Sequence, residues 1–223
     1  MRKIEIAAGV LFLLSTASFL IGSGMLDPIL HRSDLLYSID SNRTSIFTGL
    51  ILELINALAV VGIGLLLQSV LHNHHKMLAL GYFASRIMES ILLIVSLTCP
   101  LILLVVSKKP LSAGTSAESY LQTIGSFAVE AHFLLFEIAM IVLSLGSLLF
   151  CYILYQSRLV PRLLSLIGFL GYAGLLASSS LSIAGLDIGS VLYIPGAIFE
   201  LVLPIWLIVK GFRRSGGDVP FTT

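Results

Sequence analysis

The sequence predicts an all-α membrane protein, a six-transmembrane-helix bundle, and three observations carry that expectation. Hydrophobic residues make up 57% of the chain and charged residues only 11%, whereas a soluble domain carries roughly 25% charged residues. The apolar residues fall into long runs, each near or above the roughly 20 residues needed to cross about 30 Å of hydrocarbon. Short polar turns separate the runs, and 223 residues leave room for six spans but for no soluble domain beside them. Residues 1–214 are therefore expected to form a single transmembrane domain, followed by a disordered cytoplasmic tail, 215–223.

The first span, 4–24, follows Arg2 and Lys3. A signal peptide would show an apolar core of roughly 7–15 residues and an A-x-A-like cleavage site. This core is longer, and Gly22 and Gly24 match the site only weakly, so the helix is expected to be retained. Residues 25–44 read as a polar loop containing Asp27, Pro28, Asp34, Asp40 and Arg43. The second span, 46–71, carries Glu53 and Asn56, and the turn His72 to Lys76 leads into the third, 77–106. That span holds Arg86 and Glu89, and Pro100 is expected to bend its outer end because proline removes a helical hydrogen bond.

Residues 107–119, with Lys108, Lys109, Pro110 and Gly114, read as a solvated turn. The fourth span, 127–155, has an amphipathic lead-in from Tyr120 and contains Glu130, His132 and Glu137. Pro161 restarts the chain as the fifth span, 163–184, where Gly168, Gly171 and Gly174 invite close helix packing in lipid. The sixth span, 190–212, carries Glu200 and Pro204 and ends near Lys210, Arg213 and Arg214.

Lys and Arg outside the spans divide eight to four in favour of the side bearing both termini. Cytoplasmic loops carry the excess of positive charge, so both termini are expected in the cytoplasm. Cys99 and Cys151 fall near opposite ends of their helices, too far apart for a disulfide, which needs Cα atoms within about 7 Å.

Charged groups inside a span cost about 2.5–3.5 kcal/mol each on insertion scales and mark functional sites by default. Five residues form the candidate ligand- or proton-binding site: Glu53, Arg86, Glu89, Glu137 and Glu200. At about 1.5 Å per residue, Glu89 and Glu200 lie about 15–18 Å from the inner end, and Glu53 and Glu137 about 27 Å. Arg86 and Glu89, three apart, share a helix face and can pair, as can Glu53 and Asn56. Pro204 withholds the N–H that would bond the carbonyl of Glu200. Four deep carboxylates face one guanidinium, so some acids are protonated, or water enters, or a cation binds. The plain alternative is an interhelical hydrogen-bond network that only fixes packing.

Glu53 precedes Gly62 by the interval at which Glu137 precedes Gly146, a loose parallel repeat between two helices running the same way. His72, His74 and His75 resemble a metal motif, but they occupy a short turn without a nearby acid or cysteine, so no metal site is assigned. Glu130 and Glu137, seven apart, nearly share a helix face, but His132 points well away from both, which weakens a metal site built on this helix alone. No nucleophile elbow, zinc-protease helix, phosphate loop or C-x-x-C occurs, so no catalytic residue and no cofactor is expected. Basic patches interleaved with aromatics are also missing, which argues against nucleic acid.

Four stretches stand out: LYQSRLVPRLLSLIGFLGYAGLL (154–176), LELINALAVVGIGLLL in the second span, ALGYFASRIMES around Arg86 and Glu89, and FELVLPIWLIVKGF at the close. Together they resemble a bacterial family of multi-pass membrane proteins, the domain of unknown function 4386 family. The resemblance covers nearly the whole chain, and residues 107–119 look least typical. It implies architecture and a place in the bacterial inner (plasma) membrane, with no catalytic residues to carry over. Two functional classes remain open beside a structural or partner-binding role. One is a small transporter or ligand-binding protein handling a proton, cation or small polar solute, with membrane lipids as its surroundings. The other is an intramembrane or lipid-modifying enzyme using the same acids.

Overall fold

Short turns dictate the architecture. After the second apolar run the chain reverses within His72 to His75, where the N–H groups of His74 and His75 both bond the carbonyl of Leu71, at 2.9 and 3.0 Å. A second reversal follows the fourth run, where Arg158 takes a left-handed backbone, φ 53°, and Pro161 caps the next helix. Turns this short force antiparallel neighbours.

The computed structural model describes residues 2–32, 38–39, 41–107, 116–186 and 190–213. The helices are α1 (Arg2–Leu30), α2 (Arg43–Leu71), α3 (Lys76–Val106), α4 (Ser116–Ser157), α5 (Arg162–Ile183) and α6 (Ile194–Val209), with a 3-10 turn at Ser190–Tyr193 before α6. The fold is all-α: five helices are long and apolar enough to cross a membrane, and the sixth is a shorter apolar helix. Each helix packs on its neighbours in sequence, and α6 returns to α1, closing a ring. The outer surface of the ring is apolar, with Leu20, Leu58, Ile91, Leu145, Leu170 and Ile205 exposed.

Closure of the ring depends on both chain ends lying at one end of the bundle. Nη1 of Arg2 donates to the carbonyl of Leu207 at 2.8 Å, and Nη2 donates to those of Ile208 and Val209 at 2.5 and 3.0 Å. These are carbonyls at the C-terminus of α6, which have no intrahelical donor and carry the negative end of the helix dipole. Close backbone approach completes the seam: a Cβ on Gly9 would lie 2.8 Å from the carbonyl oxygen of Pro204. Between α5 and α6 the approach is closer still, because a Cβ on Gly171 would fall on the backbone of Gly196. The glycines of the fifth span therefore serve packing.

Three elements differ from the expectation. Residues 25–44 are not a continuous loop, since α1 runs through Pro28 to Leu30 and α2 begins at Arg43. Proline removes one helical donor, and the carbonyl it leaves unbonded, that of Gly24, belongs to an exposed residue, so α1 continues through it. The fourth helix has 42 residues, on the order of 60 Å, so it extends beyond the bilayer. The sixth has 16 residues, about 24 Å, to which the 3-10 turn adds about 8 Å, together close to the hydrocarbon thickness. Lys108 and Lys109, Asp187 and the tail 215–223 lie outside the described residues.

Apolar packing fills the two ends of the ring. One cluster, including Leu67, Leu71, Phe150, Leu154, Leu207 and Phe212, occupies the end with the termini. A second, including Leu26, Ile46, Leu97, Leu103 and Leu121, fills the other. Cys151 belongs to the first and Cys99 to the second; both are buried free thiols.

Candidate functional site

Between the two clusters lies a cavity of about 510 Å³, to which all six helices contribute lining residues. Its charged side chains are Asp27 of α1, Arg86 and Glu89 of α3, and Glu200 of α6. Ser15 and Asn56 add polar groups from α1 and α2, and Phe12, Phe19, Phe136 and Tyr193 add aromatic walls.

Arg86 is the centre of the arrangement and is 4% exposed. The i, i+3 spacing on one helix face brings it to Glu89, which is 2% exposed. Its Nη1 donates to both carboxylate oxygens of Glu89, at 3.3 and 3.0 Å. Nε donates to the hydroxyl of Tyr82, one helical turn earlier, at 3.2 Å, and Nη2 to Oγ of Ser147 on α4 at 3.3 Å. The guanidinium carbon also lies 5.2 Å from the centre of the Tyr82 ring. Such a buried charge holds only where most of its donors are used, and α4 can supply Ser147 because Gly146 allows close approach to Ser85.

Glu200 accepts a hydrogen bond from the hydroxyl of Tyr172 on α5 at 3.1 Å. It lines the same cavity as Arg86 and Glu89. On the α1–α2 side, Oγ of Ser15 donates to Oδ1 of Asn56 at 2.5 Å. Asn56 thus turns to α1 instead of partnering Glu53, although the two share a helix face.

Of the five sequence-derived residues, the cavity lining collects Arg86, Glu89 and Glu200 and leaves out Glu53 and Glu137. Glu53 packs against Gly22 of α1 and lies within electrostatic range of Asp27. Glu137 is half-buried, and its Oε2 has no hydrogen-bond partner. Asp27 is the lining residue that sequence reasoning placed in a loop. The signal for it was an acid directly before a proline at the end of an apolar run, which reads equally well as a turn. His132, close enough to feel the charge of Asp27, is 3% exposed and bonds the carbonyl of Ser96 through Nδ1 at 3.0 Å.

Phe19 of α1 stacks on Phe136 of α4, with ring centroids 5.6 Å apart and planes within 4°. Phe19 follows Ser15 by one helical turn on the way to Asp27, so the pair stands in the wall between the deep polar groups and the Asp27 end. Among the described residues, no group of three His, Cys, Asp or Glu side chains is arranged to hold a metal ion.

Fold and cavity together define a multi-pass integral membrane protein with charged side chains turned into the interior of its bundle. The chain belongs to the family described as Domain of unknown function (DUF4386), whose sequence pattern matches residues 7–211 and so reaches from α1 to just beyond α6. Neither the curated proteins nor the solved structures contain a match to it.

Proposed function

We propose that this protein is a small-solute-binding membrane protein of the transporter type, whose central cavity takes a proton, a cation or a small polar solute. The observation that carries the reading is the convergence of Arg86, Glu89 and Glu200 from two helices on one cavity that apolar packing seals at the end bearing the termini. Arg86 offsets one of the two carboxylates. The other has a single tyrosine hydroxyl as its hydrogen-bond donor, which leaves a position where a positive charge is favoured in low dielectric. Aromatic walls from Phe12, Phe19 and Phe136 suit an organic cation, whose charge is attracted to ring faces.

The same reading places the chain as one transmembrane domain in a bacterial inner membrane, with both termini cytoplasmic. The eight-to-four split of positive charge supports that orientation. Glu53, outside the cavity lining but beside Asp27, and Glu137, next in sequence to Phe136, would extend the acidic surface toward the outer end.

The test is thermal stabilisation of detergent-purified protein by a panel of alkali cations and small organic amines, together with pH-dye measurements in proteoliposomes. One class should stabilise the wild type by about 1.4 kcal/mol at tenfold excess over its dissociation constant. Glu200→Gln, which keeps the shape and the acceptor for Tyr172, should fold normally and lose that response. No stabilisation by any member of the panel, with no proton movement, would make the cavity a packing feature only.

A further inference from the structure

Three arginines converge on a second, smaller pocket at the end of the bundle that carries both termini. The pocket, of about 290 Å³, is lined by Arg158, Val160, Pro161, Arg162 and Arg213. Arg158 directly follows the fourth helix, Arg162 begins the fifth, and Arg213 follows the sixth. A backbone hydrogen bond from the N–H of Arg213 to the carbonyl of Leu159, 2.8 Å, ties the segment after α6 to the α4–α5 turn and so closes the pocket.

Among the described residues, no carboxylate forms an ion pair with these arginines. The ion pairs among the described residues are Arg2 with Glu5 and Arg86 with Glu89. The N-terminus of α5, which opens at Arg162, adds its own partial positive charge. Arg158 sits at φ 53°, a backbone region that disfavours any side chain and is usually left to glycine at a helix end. An arginine there retains a guanidinium at a position where glycine would be easier to fold.

The surroundings decide between lipid and water as the source of an anion. Tyr155, whose ring centre lies 5.3 Å from the Arg162 guanidinium, is exposed, and Leu163 is 70% exposed. Both lie on helices whose outward faces are apolar, so the pocket borders the lipid at headgroup level, where tyrosine is favoured. Basic pockets at helix ends on the cytoplasmic side recognise lipid phosphates, and arginine forks match phosphate oxygens in pairs.

We propose that Arg158, Arg162 and Arg213 form a binding site for the phosphate of an anionic phospholipid headgroup. The site is independent of the central cavity and stands whatever solute that cavity takes.

Native mass spectrometry of the detergent-purified full chain, titrated with phosphatidylglycerol or with phosphatidylcholine of the same acyl chains, tests it. The wild type should retain one phosphatidylglycerol in clear preference to phosphatidylcholine. Arg158→Gly keeps the left-handed turn, so it should melt no lower than the wild type while binding phosphatidylglycerol about fivefold more weakly. The triple variant Arg158→Gly, Arg162→Gln, Arg213→Gln should lose on the order of a hundredfold, whereas Lys76→Gln, outside the pocket, should change nothing. Equal retention of the two lipids by the wild type, or undiminished phosphatidylglycerol binding by Arg158→Gly and the triple variant, would overturn the proposal. Complete displacement of the lipid by inorganic phosphate at an ionic strength where chloride leaves it bound would assign the pocket to soluble phosphate and overturn it as well.

Discussion

Nδ1 of His132 on α4 donates to the backbone carbonyl of Ser96 on α3 at 3.0 Å, and Ser96 is the residue four positions before Pro100. Proline has no N–H to give to that carbonyl, so a neighbouring helix supplies the donor in its place. The carbonyl can only accept, which fixes the proton on Nδ1 and leaves Nε2 as an acceptor. The helix consequently runs through Pro100 as far as Val106.

His132→Ala should destabilise the protein by about 1–3 kcal/mol, the cost of leaving a buried carbonyl without a partner. Pro100→Ala in the same background should recover much of that loss by restoring the helical N–H. A double-mutant cycle on detergent melts measures the coupling, and strictly additive effects would show that the two residues act separately.

For the buried ion pair, Glu89→Leu alone strands the Arg86 guanidinium and should cost about 3–5 kcal/mol. The double variant Arg86→Met, Glu89→Leu removes both charges and should be markedly more stable than the single one. Denaturation midpoints in the same detergent decide this, and a double variant that is the worse of the two contradicts the pairing argument.

The clamp between Arg2 and α6 should be visible locally before it is visible globally. Arg2 is 39% exposed, so Arg2→Gln should lower overall stability by only about 1 kcal/mol, less than a buried charged hydrogen-bond set would. Hydrogen exchange at the amides of Trp206 to Gly211 should accelerate, since the α6 terminus loses its cap. Arg2→Lys should restore only part of the protection, because an ammonium cannot span three successive carbonyls as a planar fork does. Unchanged exchange in Arg2→Gln would mean that the clamp is not what holds α6.

Gly171→Ala places a methyl group on the backbone of Gly196, which cannot swing aside as a flexible side chain could. Helices α5 and α6 must separate, at about 2–3 kcal/mol. Gly24→Ala is the internal control: nothing lies within 4 Å of its Cβ position, and alanine is the better helix former. Thermal melts of the two variants should therefore move in opposite directions, or Gly24→Ala should stay put.

The number and class of the helices were legible in the sequence because lipid imposes a length and a composition on every span, and both can be counted along one chain. The pairing of Arg86 with Glu89 was legible for a similar reason, since i, i+3 neighbours on a helix meet whatever surrounds them. The contribution of Asn56, the inclusion of Asp27 and the exclusion of Glu53 and Glu137 from the cavity lining were decided only by the tertiary structure. Asp27 enters because α1 runs on through Pro28; the others depend on how a helix is rotated about its own axis, and periodicity cannot report that when all sides of a span are apolar. Prolines gave the least information in isolation. Pro28 read as part of a loop, yet α1 passes through it; α3 continues through Pro100 as well, and there the compensating donor, His132, lies 32 positions along the chain on another helix. A single span specifies which backbone group loses its partner, but only the packed bundle determines which side chain replaces it.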